Sequence, residues 1–149
     1  MLSSIGLNLE TWGKEIMLIE RLQHLDTNIA EMEKLVSNIS IDELMSKTTN
    51  QWALRYGLFE SIQILIDISC HLVSQNNFGN TNTYRDCIDA LVKFNVFDED
   101  LGLKLKKMVG LRNILVHDYV QIEIEQLYHY VSDLSDFRSF SKAIQNFLK

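Results

Sequence analysis

Ile16-Met17-Leu18-Ile19-Glu20-Arg21-Leu22-Gln23-His24-Leu25-Asp26-Thr27-Asn28-Ile29 sets apolar residues at steps of three and four. Ile16, Ile19, Leu22, Leu25 and Ile29, continued by Met32, Val36 and Ile39, fall on one stripe of an α-helix, because side chains at those steps return to the same face. The pattern predicts a long amphipathic helix from about Leu9 to Ser37. Working outward, each later segment repeats the theme. Ser40-Ile41-Asp42-Glu43 has the form of a capping box and predicts a short helix ending near Lys47. A second long helix is expected from about Asn50 to Ser74, through Phe59, Ile62, Leu65, Ile66 and Leu72. Gln75-Asn76-Asn77-Phe78-Gly79-Asn80 reads as a loop, dense in asparagine with one glycine. Thr83-Tyr84-Arg85-Asp86 opens a helix ending near Asn95. Asp98 caps the next, which carries Leu101, Leu105, Met108 and Leu115, and a last helix is expected from about Ile122 to Phe147.

Composition agrees with this all-α reading. The 149 residues contain no proline and only 6 glycines, which favours uninterrupted helices over strands and turns. Apolar residues make up 46% and charged residues 23%, so a domain of this length can bury a real core. No apolar run approaches the roughly 20 residues of a membrane span. Met1 to Lys14 lacks a basic stretch followed by an apolar one, so no secretory signal is expected. Cys70 and Cys87 have no metal-type spacing and read as reduced residues of a core or interface in a cytoplasmic protein. The formal charge of −6 argues against a protein that coats nucleic acid, which would be basic. Lys104, Lys106, Lys107 and Arg112 nevertheless place 4 of the 14 cations close together.

That cluster leads into Arg112-Asn113-Ile114-Leu115-Val116-His117-Asp118-Tyr119. A guanidinium clamps phosphate, and an imidazole moves protons near neutral pH. At 100° per residue, Leu101, Leu105, Met108, Arg112 and Leu115 lie within about 80° of one another. Arg112 is therefore on the apolar stripe, where an arginine without an acid or a bound anion costs several kcal/mol. It must face a cleft, meet a carboxylate such as Asp67 or Asp86, or meet a second subunit. Arg55 lines up in the same way with Phe59, Ile62 and Ile66. His117, five residues past Arg112, sits about 140° around an unbroken helix. The two converge only if the helix ends between Leu115 and Asp118 or a partner completes the site. His71, four residues after Asp67, suggests a helix-surface pair. His24 and His129 suggest no partner, and no His/Cys/Asp/Glu set has metal spacing.

The R-N-x-x-x-H-x-Y octet on a helical chain of this length resembles the HEPN superfamily, and within it the HepT toxin branch. The likeness runs from about Lys14 to Lys149 and includes Arg55-Tyr56-x-x-Phe59-Glu60-Ser61-Ile62 and Ile66-Asp67-Ile68-Ser69-x-His71. Residues 1–13 are then an N-terminal extension and 14–149 a single HEPN-like domain, an antiparallel bundle of four main helices plus short ones. The resemblance implies a metal-independent endoribonuclease that needs no cofactor and works as a homodimer with two motifs facing one cleft. It also implies a toxin–antitoxin module of type VII character. In it a nucleotidyltransferase of the MntA type transfers AMP onto Tyr119, placing charge and bulk two residues from His117.

In the mechanism expected from these residues, Arg112 and His117 are catalytic, with Asn113 and Arg55 in support. Arg112 grips the scissile phosphate and stabilises the charge that builds on it. His117 takes the ribose 2′-OH proton or supplies one to the leaving 5′-oxygen. A non-catalytic HEPN-like dimer that binds a nucleotidyltransferase or a nucleotide, and a purely structural helical adaptor, stand as alternatives. No G-S motif with paired aspartates supports a nucleotidyltransferase in this chain.

Overall fold

The computed structural model describes residues 2–117 and 123–149, with side chains from Gly13 onward. Among the described residues the order is α1 (Leu2–Asn38), α2 (Ile41–Ser46), α3 (Thr48–Gln75), α4 (Tyr84–Lys93), α5 (Glu99–Val116), α6 (Ile124–Ser132) and α7 (Ser135–Leu148). The four longest, α1, α3, α5 and α7, are the main helices of the bundle. The central helix is α3, which packs against α1, α2, α4, α5 and α6, while α7 closes on α1 and α5. By length and mean hydropathy α3 could also cross a membrane. In this fold its apolar residues Leu54, Leu58, Ile62, Leu65, Ile66, Ile68 and Leu72 are the bundle core.

Local chemistry sets the helix boundaries. The Ser40 hydroxyl accepts from the Glu43 N–H, and an Asp98 carboxylate oxygen accepts from the Leu101 N–H at 2.7 Å. Thr83 and Asp86 complete a reciprocal capping box at the start of α4. At the far ends, α3 and α4 close the same way. Asn77 (φ 56) and Asn95 (φ 63) take the left-handed conformation. The next residues, Phe78 and Val96, donate back to the carbonyls of Val73 and Leu91, the paired bonds of a Schellman closure. Asparagine tolerates that backbone better than other side-chain-bearing residues.

Several expectations are corrected. The first helix begins at Leu2 rather than near Leu9, so the backbone of residues 2–13 continues α1. Its buried stripe is Leu18, Leu22, Leu25, Ile29 and Met32, whereas Ile16 is 49% and Ile19 48% exposed. Leu18 stands one turn before Leu22, and it is this residue, not Ile16 or Ile19, that the bundle buries. The expected last helix is two. Leu134 is buried between them, and Asp133, in an extended conformation, accepts the Ser135 N–H at 3.0 Å. Burying Leu134 turns the chain, and the aspartate satisfies an amide that the break frees. Cys70 and Cys87, expected as reduced thiols, form a disulfide joining α3 to α4 across a Cα–Cα distance of 5.1 Å. The reduced reading rested on compartment; the approach of the two helices was not visible in the sequence. Asp67 is engaged by Gln63 and Arg21 instead of His71.

Close approach of α4 and α5 depends on Gly102. A Cβ there would stand 2.5 Å from Val92 Cγ2, and the β-branched Val92 has little freedom to yield. That contact brings the start of α4 beside the last turns of α5, where the site lies.

Candidate functional site

Three elements meet around Arg112: the middle of α3, the start of α4 and the C-terminal half of α5. Arg112 is half-buried, as its place on the stripe requires. Its Nε donates to Gln63 Oε1 at 3.0 Å and its Nη1 to Asn113 Oδ1 at 3.3 Å. Its guanidinium carbon lies 5.8 Å from the centre of the Phe59 ring and 5.3 Å from that of Tyr84, both within cation–π range. Among the described residues no carboxylate pairs with it. Asp86, one of the two acids expected to reach it, is spent on the α4 capping box, where the Asn82 and Thr83 amides hold its carboxyl below the usual range.

Asp67, the other expected acid, acts at one remove. Gln63 Nε2 donates to Asp67 Oδ1 at 2.9 Å, and Arg21 Nη1 lies 3.5 Å from Asp67 Oδ2. The Gln63 amide therefore fixes Arg112 through a neutral oxygen while the Asp67 charge is met by Arg21. Arg112 is anchored and keeps its own charge. Such a guanidinium, flanked by aromatic rings and stripped of acids, is suited to an anion.

The other candidate residues are placed with varying completeness. Asn113 is exposed and bonds directly to Arg112. Arg55 is half-buried on α3, one turn before Phe59, and shares the face of α3 that reaches Arg112 without bonding to it. Of the two alternatives left open, a helix end between Leu115 and Asp118 is found: α5 stops at Val116, and His117 is its C-cap with φ −90 and ψ 94. His117 is exposed, and the turn removes the constraint that kept it on the opposite side of the helix from Arg112. Tyr119, together with Asp118, lies outside the described residues. Of the neighbouring lysines, Lys104 pairs with Asp100 at 3.3 Å and Asp136 at 3.8 Å, and Lys106 with Asp89 at 2.9 Å. Their expected positive field is largely cancelled. Among the described residues no three His, Cys, Asp or Glu side chains are arranged to hold a metal ion.

Gln63 and Tyr84 were missed by sequence reasoning. Gln63 had a signal, since it is a lone amide inside Ile62-Gln63-Ile64-Leu65-Ile66, where a half-buried polar group needs a partner. Tyr84 had none, because its residue pattern was fully accounted for by the helix cap. His24, read as lacking a partner, holds Glu60 at 2.7 Å from Nε2.

Comparison with known proteins gives this geometry a family. A family model described as Ribonuclease HepT-like matches residues 25–144. The chain is 40% identical over 98 residues to the mRNA nuclease HepT of Shewanella oneidensis, covering 65% of this chain and 74% of that one. It is 27% identical over 135 residues to the tRNA nuclease HepT of Aphanizomenon flos-aquae, covering 90% and 92%. Among solved structures it is similar to a chain of a toxin–antitoxin complex with AMP-PNP, with a TM-score of 0.79 and 28% identity over 87% of this chain and 97% of that one. A tri-AMPylated Shewanella oneidensis HEPN toxin in complex with its MNT antitoxin matches equally well, at a TM-score of 0.79, 28% identity and coverage of 87% and 96%. The matched region spans the helices that build the Arg112 site, and this chain belongs to the HepT-like ribonuclease family.

Proposed function

We propose that this chain is the toxin of a two-gene toxin–antitoxin module, an endoribonuclease that cleaves RNA without a metal at Arg112 and His117. The observation that carries the proposal is the half-buried Arg112 guanidinium, held by neutral acceptors and two aromatic rings in a family of ribonucleases. Its fork grips the non-bridging oxygens of the scissile phosphate and stabilises charge that grows as the bond order changes. His117 accepts the 2′-OH proton as O2′ attacks phosphorus. The P–O5′ bond then breaks and the leaving oxygen takes up a proton, giving a 2′,3′-cyclic phosphate and a 5′-hydroxyl. Asn113 orients the guanidinium, and Arg55 adds positive charge along the same face of α3.

The active form is a homodimer in the cytoplasm. Trp52, 66% exposed, stands with Tyr56 on the face of α3 left free by the bundle, and a second copy would cover it. The partner is an MntA-like nucleotidyltransferase that silences the toxin by transferring AMP to Tyr119, where added phosphate repels the RNA backbone. Purified protein should cleave RNA undiminished by EDTA, and Arg112→Ala and His117→Ala should each lose cleavage by about 100-fold or more. Chelator-sensitive cleavage, or full activity of His117→Ala, would overturn the mechanism. Intact mass after co-expression with the antitoxin should show AMP increments that Tyr119→Phe removes. The second reading, a non-catalytic dimer, would be favoured by growth inhibition that survives Arg112→Ala.

A further inference from the structure

We infer that the groove between the start of α4 and the last turns of α5 is a nucleobase subsite, in which Tyr84 stacks the base next to the phosphate held by Arg112. The inference rests on the ribonuclease reading above and adds where the RNA lies. The groove has a volume of about 480 Å³ and is lined by Asn82, Thr83, Tyr84, Arg85, Val109 and Asn113, within the roughly 300–1,000 Å³ of small-ligand sites.

Tyr84 is 42% exposed, and its hydroxyl makes no hydrogen bond among the described residues. One side of its ring is occupied by Arg112, whose guanidinium carbon is 5.3 Å from the ring centre. An aromatic face so close to the phosphate clamp is where the base of a single-stranded nucleotide would come to rest, since unstacked bases are held on aromatic and guanidinium planes. The groove need not rely on the helix start for affinity, because the capping box already uses the Thr83 and Asp86 groups there.

Charge adds to this geometry. Arg21, Lys104, Lys106 and Arg138 are each paired with carboxylates. Arg85 and Arg112, at the groove, have no carboxylate partner among the described residues. Arg85 is laid over α5 at Gly110, where a Cβ would stand 3.0 Å from its Nη2. Arg85 lines the groove and Arg112 stands against its Tyr84 wall, so two guanidinium groups border one groove beside an aromatic ring, where the phosphates flanking a stacked base would be met. Asn113 spends its Oδ1 on Arg112, which leaves its amide hydrogens to donate to a base edge.

The test uses the full chain and an RNA oligonucleotide made uncleavable by a single 2′-deoxy substitution at the scissile ribose. Binding is read by fluorescence anisotropy for the intact oligonucleotide and for versions abasic on either side of the scissile phosphate. Tyr84→Leu should weaken binding of the intact RNA about ten-fold and leave binding of one abasic version unchanged, while Tyr84→Phe binds as the wild type does. A Tyr84→Leu penalty of equal size on all the oligonucleotides would overturn the subsite and assign Tyr84 to holding Arg112 in place. No penalty on any would overturn it as well. Thermal melts of both variants verify that the comparison is between folded proteins. Failure of the wild type to bind or cleave RNA at all would instead remove the ribonuclease reading, and the subsite with it.

Discussion

Arg112 and Gln63 are separated by 49 residues, and the 3.0 Å bond between them decides what the arginine can do. A carboxylate in the position of the Gln63 oxygen would orient the guanidinium equally well but neutralise it. Gln63→Glu tests this directly. The new carboxylate should weaken binding of uncleavable RNA about ten-fold or more. It gains an ion pair with Arg112 but loses the donation to Asp67 and faces that carboxylate, so a thermal melt of the variant accompanies the binding measurement. Unchanged RNA affinity in a folded Gln63→Glu protein would show that Gln63 is only packing. Helical periodicity was sufficient to put Arg112 on the buried stripe. It could not choose between an acid, a cleft and a partner, because that choice depends on which α3 side chain comes opposite.

Elements are tied together at a few polar points, of which Glu60 is the most connected. Lying on α3, it accepts from Tyr56 Oη at 2.6 Å on its own helix and from Asn28 Nδ2 at 2.8 Å on α1, with His24 of α1 beside it. The Tyr56 hydroxyl, then Asn28 and His24, hold its carboxyl below the usual range against the opposing effect of burial. A depressed folded pKa means that the ionised form is favoured by folding. Its stabilisation is therefore present above the unfolded value, roughly 4.3, and is lost as pH falls through the lower folded value. Glu60→Gln should lower the melting temperature at pH 7, and the gap from wild type should close as pH drops below about 4.3. A constant gap from pH 7 to pH 3 would show that the carboxylate charge is not what joins α1 to α3. Helix starts were legible, because Ser40, Thr83 and Asp98 act on amides within three residues. The break at Leu134 was not, because it is driven by burial of that leucine among other helices.

Across the whole molecule, the Cys70–Cys87 disulfide closes a loop of sequence separation 17 between α3 and α4, the two helices that supply Gln63, Phe59 and Tyr84. Restricting the unfolded chain over such a loop contributes about 3 kcal/mol, so reduction should lower the melting temperature by roughly 6–12 °C. The same melts with and without dithiothreitol on a Cys87→Ser variant should coincide. Once the disulfide is reduced, α3 and α4 are held by the apolar core and the remaining polar contacts. By itself the sequence determined the helical class, most helix starts and the placement of Arg112 on the apolar stripe, because these follow from spacing and from contacts a few residues apart. Only the tertiary structure decided the stripe of α1, the division of the last helix, the pairing of the cysteines and the neutral anchoring of Arg112 beside Tyr84. Each of those is a choice among locally equivalent states, and contacts between residues distant in the chain supply the energy that makes it.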